Sequence, residues 1–302
     1  MGIDPAAVAV VLLAGILAIG AGFDLAFREV PDPVWWSAAA AGLALGGWAF
    51  GASGPPLGLV AWWVPALVAA AQLVGGGSPL ARRAPRVETA LDLGLLAAAA
   101  VAATLGIAGG AAGAALPGAA VAGATILGRA LFAIGAFGGG ADVRAVVAMG
   151  LLAPLVPWSL APLPATAVRA LEVVPFAWTA LLDASIMVAA LAVGLGVHNV
   201  LHGEAPTVRA FSTYALPVRE LPRRFVWPVG LPPERTGALL GAATAEEDRT
   251  ARARIAEELA GEGIRTVRVT PQLPMVAFLA AGAGVALVAG NLLWDLAVAL
   301  AR

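Results

Sequence analysis

Two aspartates stand in apolar surroundings, each inside a local signature. Asp24 closes a long apolar run in Phe23-Asp24-Leu25-Ala26-Phe27-Arg28-Glu29-Val30-Pro31-Asp32. Asp142 follows a glycine run in Phe137-Gly138-Gly139-Gly140-Ala141-Asp142-Val143-Arg144-Ala145. An ionisable side chain at membrane depth is costly, so it marks a functional site by default. Two carboxyl groups that meet and share one proton can activate water against a peptide bond. The pair predicts an intramembrane aspartic peptidase. Gly138, Gly139 and Gly140 permit a turn and a close backbone approach beside Asp142.

The elements that must carry these residues are helices in lipid. The chain has 302 residues, 60% hydrophobic and 12% charged, where soluble domains carry about 25% charged residues. Net charge is −1, so bulk charge names no partner, and no nucleic acid is expected. All the basic residues are arginine, and there is no cysteine. Disulfides, cysteine–zinc sites and cysteine nucleophiles are excluded. Asp4 is the only charge before Asp24, so the first apolar run lacks the basic start of a cleavable signal and is expected to be retained.

A helix needs about 20 apolar residues to cross the hydrocarbon. Eight segments fit or nearly fit: 6–27, 34–50, 57–74, 90–107, 111–134, 143–156, 176–200 and 274–299. The sixth is short. With the N-terminus outside, the inner loops hold Arg28, then Arg82, Arg83 and Arg86, then Arg144, then ten arginines from Arg209 to Arg268. Outer segments hold Arg169 and Arg302, and Arg129 lies near an inner helix end, where it can snorkel. The short loops obey the positive-inside rule. Both aspartates then fall at the cytoplasmic ends of their helices.

Residues 203–270 differ in kind, being charged and rich in proline, with β-like runs at Phe225-Val226-Trp227 and Thr266-Val267-Arg268-Val269. Thr244-Ala245-Glu246-Glu247 reads as a capping box. Asp248 and Arg252 stand at i,i+4, Ile255 and Leu259 make a short apolar stripe, and Gly261 is a stop signal. The expected fold is an all-α polytopic membrane protein with about eight transmembrane helices and a small cytosolic α+β insertion before the last helix. The expected divisions are 1–202, 203–270 and 271–302.

Other candidates have plainer readings. Glu88, Asp92, Asp183 and Asp295 lie in or near apolar segments, where polar pairing explains each; Asp183 is the strongest rival to the two signatures. His198 and His202 share a helical face at i,i+4 with Glu204 nearby, a spacing zinc sites use. No third ligand completes a known motif, so an interfacial role is expected and no metal or cofactor. Trp35, Trp36, Trp62 and Trp63 read as belt or packing residues. Arg28 and Arg144 read as inner-side anchors or as supports that orient the site.

In these residues the chain resembles the archaeal preflagellin and type IV prepilin peptidases, of the GxGD aspartic protease class. Asp24, Arg28 and Pro31 match the Asp-x-x-x-Arg-x-x-Pro pattern that ends the family's first helix. Gly139-Gly140-Ala141-Asp142 stands where the family has Gly-x-Gly-Asp, with Ala141 replacing the last glycine. Pro271-Gln272-Leu273-Pro274 matches the family's return into its last span. Four apolar segments precede Asp142 where archaeal relatives have two. Two added spans keep both aspartates on one side.

The resemblance implies catalysis by Asp24 and Asp142, without metal. It implies archaellin or pilin-like precursors as substrates, cut at the cytoplasmic face between a short basic leader and an apolar helix. One carboxylate would take a proton from water while the other carboxyl donates to the scissile carbonyl. The methylating activity of cysteine-rich bacterial relatives is not carried over. Three other classes stand beside this one. An ion-coupled transporter would use Asp92 and Asp183, but no inverted repeat is visible. A silent scaffold would act through 203–270. A presenilin-like or signal-peptide-peptidase-like GxGD protease would favour Tyr-Asp at the first aspartate and Pro-Ala-Leu late in the chain.

Overall fold

Apolar runs set the helices, and the charged stretch sets the sheet. The computed structural model describes residues 5–50, 56–75, 85–110, 112–134, 136–137, 140–154, 175–232, 235, 239, 245–292 and 299. In chain order the helices are α1 (Pro5–Phe27), α2 (Asp32–Phe50), α3 (Pro56–Val74), α4 (Pro85–Ala108), α5 (Ala112–Ala133), α6 (Gly140–Leu152), α7 (Phe176–Leu201), α8 (Ala245–Gly261) and α9 (Met275–Ala289). The strands are β1 (Tyr214–Pro217), β2 (Val226–Pro228) and β3 (Thr266–Pro271).

A helix stands at every apolar segment named above, and the protein is a mostly helical membrane protein. Among the described residues, four helices are long and apolar enough to cross a membrane by length and composition: Ala7–Phe27, Pro56–Val74, Ala115–Ala133 and Phe176–Leu201. The expected eight spans are not reached on that measure. Leu93–Ala108 and Met275–Ala289 are apolar but shorter. The 13 residues of α6 rise about 20 Å, against about 30 Å of hydrocarbon.

The chain divides into two compact units. One comprises Met1–Gly22, Val30–Ser185 and Met275–Arg302; the other comprises Phe23–Glu29 and Ile186–Pro274. In the first, α6 packs against α2, α3, α5 and α9, and all its residues from Asp142 to Leu152 are buried. A helix that is apolar all round belongs in an interior, and α6 occupies one. Small residues let these helices approach. A Cβ added at Gly46 of α2 would strike the Trp62 ring of α3, and one at Gly150 of α6 would strike Ala124 of α5. Pro65, inside α3, denies the Ala61 carbonyl its usual donor four residues on. Gly118 of α5 lies against that carbonyl with no room for a side chain. Trp35 and Trp62 are fully buried, whereas Trp36 is exposed, so the tryptophans divide between packing and surface.

The second unit is built on a three-stranded antiparallel sheet of order β1-β3-β2. Tyr214 faces Val269 across β1 and β3, and Val226 faces Pro271 across β2 and β3. Period-2 alternation turns Val267 and Val269 of β3 inward. Ala251, Ile255 and Leu259 of α8 recur at helical spacing and bury against Leu216, Leu221 and Val226. The two β-like runs and the Ile255–Leu259 stripe are found as expected; β1, only four residues between two 3-10 turns, was not foreseen. Asp248 does pair with Arg252. The α8 helix ends at Gly261, and Gly263, at φ 76°, supplies the left-handed turn. Thr244, the expected cap, lies outside the described residues.

Candidate active site

Asp24 occupies the last turn of α1 and is 7% exposed. The turn closes with Arg28 in the left-handed region, φ 57°. Its backbone N–H donates to the Asp24 carbonyl at 3.1 Å, the single-bond cap usually built on glycine. Among the described residues Arg28 is the only non-glycine with positive φ. Such a residue costs roughly 1–3 kcal/mol and persists only where its surroundings impose it. The surroundings here are explicit. Arg28 Nη1 donates to the same Asp24 carbonyl at 3.2 Å, and the guanidinium lies 5.0 Å from the Phe225 ring centre. Burial pushes the Arg28 pKa down from its ordinary value, and the charge of Asp24 opposes that shift.

Asp142 belongs to the other unit. It sits in the first turn of α6 and is 8% exposed. That position sets it among the unsatisfied N–H groups of a helix start, where a carboxylate is stabilised. Arg144 follows it in the same helix and donates to Asp32 Oδ1 at 2.6 Å. The Arg144 side chain is only 10% exposed and that of Asp32 49%. Arg144 thus joins α6 to the start of α2. Gly138 and Gly139 lie outside the described residues. At Gly140 neither backbone nor packing demands glycine: its φ is not positive, and an added Cβ would meet nothing within 4 Å.

Asp183 is fully buried in α7, and its Oδ1 accepts the Leu292 N–H at 3.1 Å. Because α9 stops where Gly290 turns at φ 83°, Asp183 serves the backbone that follows. The side chains of Glu88 and Asp92, and all of Asp295, lie outside the described residues. The His198 and His202 rings lie with centres 4.2 Å apart and tilted 39° to each other, both exposed. Glu204 is paired with Arg268 at 2.8 Å, and among the described residues no group of three metal-binding side chains forms.

Three residues with clear tasks escaped the sequence reading. Asp32 partners Arg144; its signal was an acid at the start of a helix, beside a short loop holding a lone arginine. Asn199, between the two histidines, is buried and donates to the carbonyls of Ala210 and Thr213 at 2.6 and 2.7 Å. It fixes the chain leaving α7 to the 3-10 turn before β1. Phe225 carries two guanidinium groups, and nothing local announces that. No protein-family model, no curated protein and no solved structure matches the chain.

Proposed function

We propose that this chain is a membrane-embedded aspartic endopeptidase that uses Asp24 and Asp142 to remove the basic leader from archaellin-like or pilin-like precursors. One observation carries the reading: both signature aspartates are more than nine-tenths buried at helix ends, while the arginine beside each is engaged in holding structure. Burial raises the cost of ionising a carboxyl group, which favours one proton held between two carboxyl groups that meet. The archaeal preflagellin and prepilin peptidase resemblance of the two motifs adds the substrate class.

In this mechanism the ionised carboxylate takes a proton from water, and the resulting hydroxide attacks the scissile carbonyl. The protonated carboxyl donates to the carbonyl oxygen. Collapse of the tetrahedral intermediate breaks the C–N bond, and the leaving amine takes a proton from the dyad. The titration belongs to the pair and not to either aspartate. The open space at Gly140 suits an extended substrate backbone. No step needs a metal, so activity persists in EDTA.

The same reading lays all eight apolar helices in the membrane, with the N-terminus outside. Both aspartates and the 203–270 insertion then face the cytoplasm. The arginine distribution supports this arrangement, and helices enclosed by others, like α6, need not match the full bilayer thickness. A transporter reading would place its chemistry on Asp183, whose carboxylate accepts a backbone N–H. The deciding experiment incubates the purified protein in detergent with a panel of pilin-like precursors and locates any cut by mass spectrometry. One cut at the junction of leader and apolar helix supports the proposal; no cut in any precursor removes it.

A further inference from the structure

We propose that Phe225 and Arg252 are positioning residues for Asp24, acting through Arg28, so that the sheet module fixes the end of α1 in addition to being tethered to the membrane helices. This rests on the catalytic reading of Asp24. The contacts run without a break inside one unit. Arg252 of α8 is 2% exposed and pairs with Asp248. Its guanidinium lies 5.6 Å from the Phe225 ring centre, and that of Arg28 lies 5.0 Å from the same centre. Arg28 then donates twice to the Asp24 carbonyl, from backbone and side chain.

Two observations make this more than ordinary packing. Nε of Arg28 and Nε of Arg252 are both buried without a hydrogen-bond acceptor, and both guanidinium groups lie within cation–π distance of the one Phe225 ring. Desolvation strengthens an attraction of this kind. The ring is itself anchored: the Phe225 carbonyl accepts the Gln272 N–H at 2.9 Å, just after β3. Meanwhile Arg28 holds a backbone conformation that arginine rarely adopts. A strained residue one turn from a candidate catalytic group needs an external hold, and Phe225 with Arg252 supplies it.

The test uses the full chain in detergent, with hydrogen exchange at residues 24–30 and cleavage of a precursor as separate readouts. Phe225→Leu removes the aromatic face and keeps an apolar side chain. It is expected to speed exchange of the Arg28 amide about tenfold and to lower kcat about tenfold with KM unchanged. Phe225→Tyr restores the face and should stay within about twofold of the parent. Arg28→Gln, which leaves the module core untouched, should accelerate the same amide without changing protection in α8; it decides the matter if Phe225→Leu loosens the whole module. Unchanged exchange at Arg28 in both variants overturns the proposal, as does faster exchange with unchanged kcat. A parent protein that cuts no precursor defeats the peptidase reading instead, and the exchange data still decide whether the module holds α1.

Discussion

Arg144 of α6 and Asp32 of α2 form an ion pair at 2.6 Å, with the arginine side chain only 10% exposed. Asp32 ends the stretch that begins at Asp24, and Arg144 follows Asp142. The pair therefore ties the chain just beyond one signature to the helix that opens with the other. Removing the half-exposed Asp32 strands the charge of the largely buried Arg144. Asp32→Ala should destabilise the helical unit by about 1–3 kcal/mol, discounted for the exposure of Asp32. In a double-mutant cycle, Arg144→Met should relieve part of that loss. Full additivity, measured by thermal unfolding in detergent, would show that the two residues do not interact in the folded protein.

The glycines separate packing from chemistry. Gly150 faces Ala124 with no space for a methyl group, whereas Gly140 has open space around its Cα. Gly150→Ala should lower stability by roughly 1–3 kcal/mol through overpacking. Gly140→Ala should leave the melting temperature unchanged yet raise KM for a precursor, because the methyl group would occupy the substrate's space. Equal cleavage by parent and Gly140→Ala would remove Gly140 from the site.

Asp183→Asn keeps an oxygen that can accept the Leu292 N–H, so it should fold and cleave nearly as the parent does. Asp183→Ala loses that part-buried hydrogen bond and leaves space at a fully buried position, and should cost about 1–3 kcal/mol. Loss of cleavage in a well-folded Asp183→Asn would bring α7 into the chemistry.

The chain's only tyrosine reports on the sheet module. Burial raises the Tyr214 pKa above its ordinary value; Arg224 opposes the shift and Glu220 adds to it. The folded state thus holds the phenolic proton more tightly than the unfolded state does. The resulting stability is present in full below the unfolded pKa and disappears as pH rises through the folded one. Ultraviolet titration should place phenolate formation at higher pH in the native protein than in denaturant, and Tyr214→Phe should flatten the alkaline loss of stability. Identical titration in the two states would contradict this.

The sequence carried the helices well, because apolar runs of this length have few alternatives. It also marked the sixth segment as short, and the structure makes it a 13-residue helix enclosed by four others, where little of it has to face lipid. Asp32 and Phe225 acquire their partners only when distant segments fold together. For Arg252, local spacing announced the pairing with Asp248 but not the ring it shares with Arg28. At 198–202 the histidines drew attention by residue type, while Asn199 between them makes the buried hydrogen bonds. Side-chain chemistry alone does not reveal which residue of a helical turn faces inward.

Whether Asp24 and Asp142 act as a catalytic pair is decided by the cut itself in charge-neutral variants of the two aspartates. Purified parent, Asp24→Asn and Asp142→Asn are incubated with the same precursor, and the products are read by mass spectrometry. The parent is expected to make a single cut at the junction of leader and apolar helix. Each variant is expected to lose at least ~10³-fold in rate, with a melting temperature close to the parent's, since each substitution removes one member of a unit that acts together. Substantial cleavage by either well-folded variant would contradict the assignment of that aspartate, and with it the shared-proton mechanism.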